Sequence, residues 1–243
     1  MLITPSADVA AFHAKFGAPT RSVPALPAPE RVALRRSLIA EEIDETYRSI
    51  TQFDLVGLSD GIADSIYVIV GTGLEFGCLV DDADIAEMMK GYGTGFDGRP
   101  PAFPAPAVVA INRTALAERM MHLSKWMSTD DIDRIAAELT AAIDQLITLA
   151  HDFRIPFAEV WNEVQRSNMS KLEKPDHSGD CILPNSPKDN PARCTCGAVL
   201  YREDGKILKG SGFSPPDISS ILQAKGWRML ETPDLGNATM VQS

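Results

Sequence analysis

Five acids in two short stretches carry the chemical signal of this sequence. Glu41, Glu42 and Glu45 stand within LRRSLIAEEIDE, and Asp60 and Asp64 follow within SDGIADSIYVIV. Each helical residue turns by about 100°, so on a helix Glu45 lies about 40° from Glu41, and Glu42 about 100°. Leu34 and Leu38 fall in the same sector, whereas Asp44 points away. A surface helix keeps its acids opposite its leucines. Acids on the core side are costly unless a proton or a cation neutralises them. The second stretch repeats the anomaly. Residues 62–74 are apolar nearly all round, as in a helix central to a bundle, yet Asp60 and Asp64 sit one turn apart on one face. No Lys or Arg stands between Ser49 and Lys90. Two carboxylates on a buried helix without a local cation call for a hard divalent ion, Mg²⁺ or Mn²⁺, which takes carboxylate oxygens.

A plainer reading of the three glutamates is a solvated helical face with ordinary acid spacing. The acids of the apolar helix weigh against it. A di-iron carboxylate bundle wants Glu-x-x-His from two helices. The residues three after Glu41, Glu42 and Glu45 are Asp44, Glu45 and Arg48, so that reading is disfavoured.

The elements that must position these acids are helical. A short amphipathic stretch, Val9 to Phe16, precedes a proline-rich connector with Pro19, Pro24, Pro27 and Pro29. Helices are expected from about Glu30 to Thr51 and, after a break at Gly57 and Ser59, from Ser59 to Phe76, stopped by Gly77. Asp82 to Met89 fits a third. Residues 91–106 are a Gly/Pro-rich linker by composition. Helical patterns resume at Ala107 to Trp126, at Thr129 to Phe153 with Thr129 as N-cap, and at Pro156 to Leu172. Beyond them lie an irregular loop from His177 to Cys196, a hairpin-type turn at Asp204-Gly205, and a short helix from Pro215 to about Lys225. Residues 59–77 line up with 136–154 at a shift of 77, and the same shift places Glu41 on Glu118 and Phe76 on Phe153. The expected organisation is an all-α domain over 1–172, with repeat units at about 30–90 and 107–172, and an irregular appendage over 173–243.

The 243 residues carry a net charge of −10 and a sequence pI near 4.9, with no basic face of the kind a duplex binder shows. Nucleic acid is not an expected partner. An acidic protein that handles a polyanion needs a bridging cation. No apolar run reads as long enough to span a membrane, and the opening MLITPSADVA lacks the pattern of a secretory signal. The expectation is a cytoplasmic protein with no membrane partner. Cys78, Cys181, Cys194 and Cys196 are then free thiols or metal ligands. Cys194-x-Cys196, with Cys181 and His177 upstream, could hold a structural Zn²⁺, although Cys-x-Cys is less typical than Cys-x₂-Cys. His13 reads as a core residue.

LRRSLIAEEIDE followed by DGIADSIYVIVGTGLEFG resembles the MazG-like, all-α nucleotide pyrophosphohydrolases, whose pattern is E-E-x-x-E on one helix and E-x-x-D on the next. EVWNEVQRSNMSKL (159–172), REDGKILKGSGFSPPDISSIL (202–222) and FHAKFG (12–17) resemble a subgroup met in phages and bacteria. Gly61 stands where the pattern expects an acid, and Asp60 precedes it. Some 75 residues separate segments that run almost together in simpler relatives, which a fused pseudo-dimer would explain. The resemblance implies Mg²⁺- or Mn²⁺-dependent hydrolysis of a nucleoside or deoxynucleoside triphosphate to monophosphate and pyrophosphate. Both dUTP-selective and guanine-selective relatives exist. It also implies Asn168 and Lys171 near the phosphates; Arg166 is a weaker choice. A homo-oligomer, dimer or tetramer, is expected because such bundles expose apolar helix faces. The rival from another class is a non-catalytic nucleotide-binding or scaffolding module.

Overall fold

A computed structural model of the chain describes residues 3–78, 80–91, 98–172 and 199–228. They form eight helices and no strand: α1 (Pro5–Phe16), α2 (Pro29–Gln52), α3 (Leu55–Phe76), α4 (Asp82–Gly91), α5 (Pro106–Trp126), α6 (Ile132–Asp152), α7 (Phe157–Asn168) and α8 (Ile218–Ala224). The all-α expectation holds. Helices α1, α2 and α5 each begin with proline in the first turn, where its missing N–H leaves nothing unpaired. The possible zinc quartet of His177, Cys181, Cys194 and Cys196 lies outside the described residues.

Local chemistry moves several boundaries. Phe53 takes a left-handed conformation, φ 56°, and Asp54 caps α3 by accepting from the Gly57 backbone N–H at 2.9 Å. The expected break at Gly57 and Ser59 therefore falls inside the first turns of the helix. At the other end Gly77 has φ 69°, and a Cβ there would meet the Val23 carbonyl at 2.2 Å. Asp131 rather than Thr129 caps α6, accepting from the Arg134 N–H at 3.0 Å. Helix α7 stops at Asn168, so Lys171 lies in the turn beyond it.

Helix α3 is the hub. It packs against α1, α2, α6, α7 and α8, which explains why it is apolar nearly all round. By length and composition α3 is in fact long and apolar enough to cross a membrane, contrary to the sequence reading. Most of that window is buried against other helices, as befits a central helix. Phe16, Phe76, Phe153 and Trp161 are fully buried in one continuous core. The Trp161 Nε1 donates to Asp8 at 2.8 Å and ties α7 to α1. Helices α5 and α6 form a second packed pair, joined by the buried Glu138 and its partners Arg119 and Arg134.

Candidate active site

The contact of α2 with α3 sets the site. Gly61 faces Thr46, and a Cβ on it would approach the Thr46 hydroxyl to 2.7 Å and its Cα to 3.1 Å. Only glycine allows that approach. It explains physically why no acid stands at this position: a longer side chain would push the two helices apart. Thr46 and Ser65 share a hydrogen bond of 3.2 Å beside the contact.

The close approach places the five acids in one electrostatic neighbourhood, unequally. Glu42 lies half-buried between Ile39 and Thr46. Burial, then the charges of Asp64, Glu45 and Glu41, lift its carboxyl to about 8, against the pull of Lys206. Asp60 is lifted to about 7 by burial and then by Asp64. Burial also raises Asp64, opposed by Lys171 and by Asn168, whose amide donates to Asp64 Oδ1 at 3.3 Å. Glu41 sits at the rim, and Lys206 Nζ donates to both its oxygens at 2.6 Å. Glu45 is exposed, unlike the sector assigned to it from the sequence. Asp44 does point outward, in a surface pair with Arg48 at 3.1 Å.

A cavity of about 280 Å³ opens from this cluster. Glu42, Asp64, Asn168, Lys171 and Lys206 line one end. Lys171 N–H donates to the Asn168 carbonyl at 3.2 Å, so the turn keeps both on the cavity side. Phe12, Tyr67, Leu34, Leu38 and Ile207 form apolar walls. His13, Arg31, Arg35 and Glu75 contribute a polar far end. There the buried Glu75 accepts from Arg31 Nη2 at 2.6 Å and Arg35 Nη1 at 3.4 Å. Arg35 also donates to Thr72 at 3.0 Å and to the Val68 carbonyl. His13 is buried, and its Nδ1 donates to the Pro19 carbonyl at 2.9 Å. Burial lowers its proton affinity, against the Pro19 hydrogen bond. Arg166 is not among the lining residues; it pairs with Glu163 at 2.8 Å and holds the Pro215 carbonyl at 2.9 Å.

Lys206 and the Arg31–Glu75–Arg35 network were not singled out in the sequence. A signal existed for the network: two arginines one turn apart at the start of α2, and one glutamate late in an apolar helix. For Lys206 it was weaker, a lysine just after an Asp-Gly turn.

Whether a divalent cation fits rests on the donors. Among the described residues, no three His, Cys, Asp or Glu side chains converge as ligands around one point. Their chemistry nonetheless suits a hard cation. Asp60 Oδ1 is buried without any hydrogen-bond partner. The cluster concentrates carboxylates that burial and mutual repulsion push toward protonation. Such orphaned, crowded oxygens are what a divalent ion neutralises.

Residues 9–89 match the family model of phosphoribosyl-ATP pyrophosphohydrolase. An uncharacterized protein of Acanthamoeba polyphaga mimivirus is 24% identical over 226 residues, covering 80% of this chain and 84% of its own. No solved structure matches the chain. The family match covers α2, α3 and all five acids, and it points to pyrophosphohydrolase chemistry on a nucleotide. Over residues 9–89, then, the chain is similar to the phosphoribosyl-ATP pyrophosphohydrolases, in the same stretch where its acidic motifs resemble the MazG-like enzymes.

Proposed function

We propose that the protein hydrolyses a nucleoside or deoxynucleoside triphosphate to the monophosphate and pyrophosphate, with Mg²⁺ or Mn²⁺ held among Glu41, Glu42, Glu45, Asp60 and Asp64. The observation that carries this reading is one cavity with buried carboxylates and lysines at one end and apolar walls leading away. The polyphosphate takes the charged end. Lys171 and the Asn168 amide face it there and orient it. The nucleoside lies along Phe12, Tyr67, Leu34 and Leu38, with Arg31, fixed by Glu75, at the far end. When bound, the divalent cation supplies neutralisation of phosphate charge and activation of the attacking water. Glu42, whose affinity for a proton is raised, is placed to accept the proton that this water gives up. Apolar walls keep bulk water from the reacting phosphate and strengthen each charged contact.

Helices α5 and α6 are read as a second copy of the α2–α3 unit that has lost most of the acids, since Asp64 corresponds to Ala141 and Glu45 to His122, while Glu41 corresponds to Glu118. One chain then holds one acidic site. Ile111 and Met121, exposed on α5, favour self-association as a homo-oligomer. Incubation with a panel of NTPs and dNTPs, with Mg²⁺ or Mn²⁺, tests the enzyme reading. Monophosphate and pyrophosphate in equal amounts from at least one nucleotide support it. Binding without any turnover would favour the non-catalytic module. The panel also separates dUTP from guanine selectivity.

A further inference from the structure

Residues 199–212 form a strap over the cavity mouth. Tyr201 and Ile207 make an antiparallel bridge, and the Leu208 N–H donates to the Leu200 carbonyl at 2.8 Å. Gly205, with φ 89°, makes the turn between them. On one side the Tyr201 hydroxyl donates to the Phe16 carbonyl at the end of α1. On the other, the Gly210 and Gly212 N–H groups donate to the carbonyls of Lys171 and Leu172, at 3.1 and 2.9 Å. Between these anchors Lys206 reaches α2 and engages both oxygens of Glu41. Its charge also acts on Glu42 and Asp64.

An ammonium held by both oxygens of Glu41 stands where a divalent cation would need them. The two positive charges cannot share that carboxylate at low cost. A nucleoside triphosphate changes the balance, because its phosphates offer Lys206 another anionic partner on the same cavity wall. We propose that Lys206 is an exchangeable counter-ion: it holds Glu41 in the substrate-free site, releases it as the metal–polyphosphate complex enters, and then pairs with the phosphate oxygens. Metal and polyphosphate thereby bind synergistically, and the metal alone binds weakly. This inference rests on the function proposed above and assigns the strap a substrate-binding role within it.

The two roles of Lys206 have opposite signs, which makes them separable. Lys206→Met keeps the aliphatic stem and removes the charge. One charge-assisted contact is worth about tenfold in affinity. The full-length variant should therefore bind Mn²⁺ alone about tenfold more tightly than wild type, and Mn²⁺–tripolyphosphate about tenfold more weakly. Calorimetric titration with Mn²⁺, without and with inorganic tripolyphosphate, reads both. Lys206→Arg, which keeps the cation, should behave as wild type in both titrations. Weaker binding of both probes by the Met variant would mark a merely structural role and overturn the inference, as would no change in either. If wild type binds Mn²⁺ and releases pyrophosphate while the Met variant fails to gain Mn²⁺ affinity, this inference alone falls. A wild-type protein that binds no Mn²⁺ and cleaves no nucleotide removes the functional reading, and this one with it.

Discussion

Glu42→Gln in the metal-free protein should raise stability, by an amount that grows as pH rises from about 4.5 to about 8. The folded state lifts the Glu42 carboxyl from 4.5 to about 8. Between those values the folded chain holds more proton than the unfolded chain, so stability falls as pH rises; below 4.5 the penalty is absent. Each unit is about 1.4 kcal/mol, which sets an upper bound of about 5 kcal/mol. Glu42 keeps some contact with solvent, and Lys206 opposes its neighbours. After that screening the effect is on the order of 2 kcal/mol. For a chain of this size it corresponds to roughly 4–8 °C in melting temperature. Thermal melts in EDTA at pH 5 and pH 8 measure it. The variant should melt only slightly higher than wild type at pH 5 and much higher at pH 8. With Mn²⁺ at pH 8 wild type should gain more than the variant, because a metal-binding charge is gone. Parallel melting of both proteins across this pH range would refute the electrostatic account of the site.

Gly61→Ala should cost about 1–3 kcal/mol in chemical denaturation, since its Cβ meets Thr46 and must spread α2 from α3. The same variant should weaken Mn²⁺ binding, because the spreading separates Glu42 from Asp64. Glu75→Gln should destabilise by about 3–5 kcal/mol, leaving Arg31 and the buried Arg35 without their counter-charge; a change under about 0.5 kcal/mol would contradict the buried network. Asp44→Asn removes only an exposed pair with Arg48 and should shift stability by less than about 1 kcal/mol.

The central helix was legible because its sequence is apolar around its whole circumference while carrying Asp60 and Asp64. Its starting point was not, since Gly57 looks like a break unless Asp54 is known to cap the turn before it. Helical periodicity placed Asp44 outward correctly. It put Glu45 inward because it centred the buried stripe on Leu34 and Leu38. In the fold the stripe runs through Arg35, Ile39, Ile43 and Thr46, and Glu75 is what draws Arg35 inside. A wheel of apolar residues cannot count a buried arginine. The strap was illegible for a different reason: Lys206 returns to Glu41 across 165 positions, and no local pattern encodes that return. The missing acid at Gly61 became intelligible only from the distance to Thr46.

The most direct test compares pyrophosphate release by wild type, Asp64→Asn and Asp44→Asn, using the nucleotide that wild type cleaves best. Asp64 lines the cavity and accepts from Asn168, whereas Asp44 lies on the opposite face. Asparagine preserves shape in both. The account predicts a loss of about 100-fold or more in kcat for Asp64→Asn with the fold intact, and wild-type turnover for Asp44→Asn. Full activity in Asp64→Asn, or equal damage from Asp44→Asn, would contradict the assignment of the inner carboxylates as the catalytic centre.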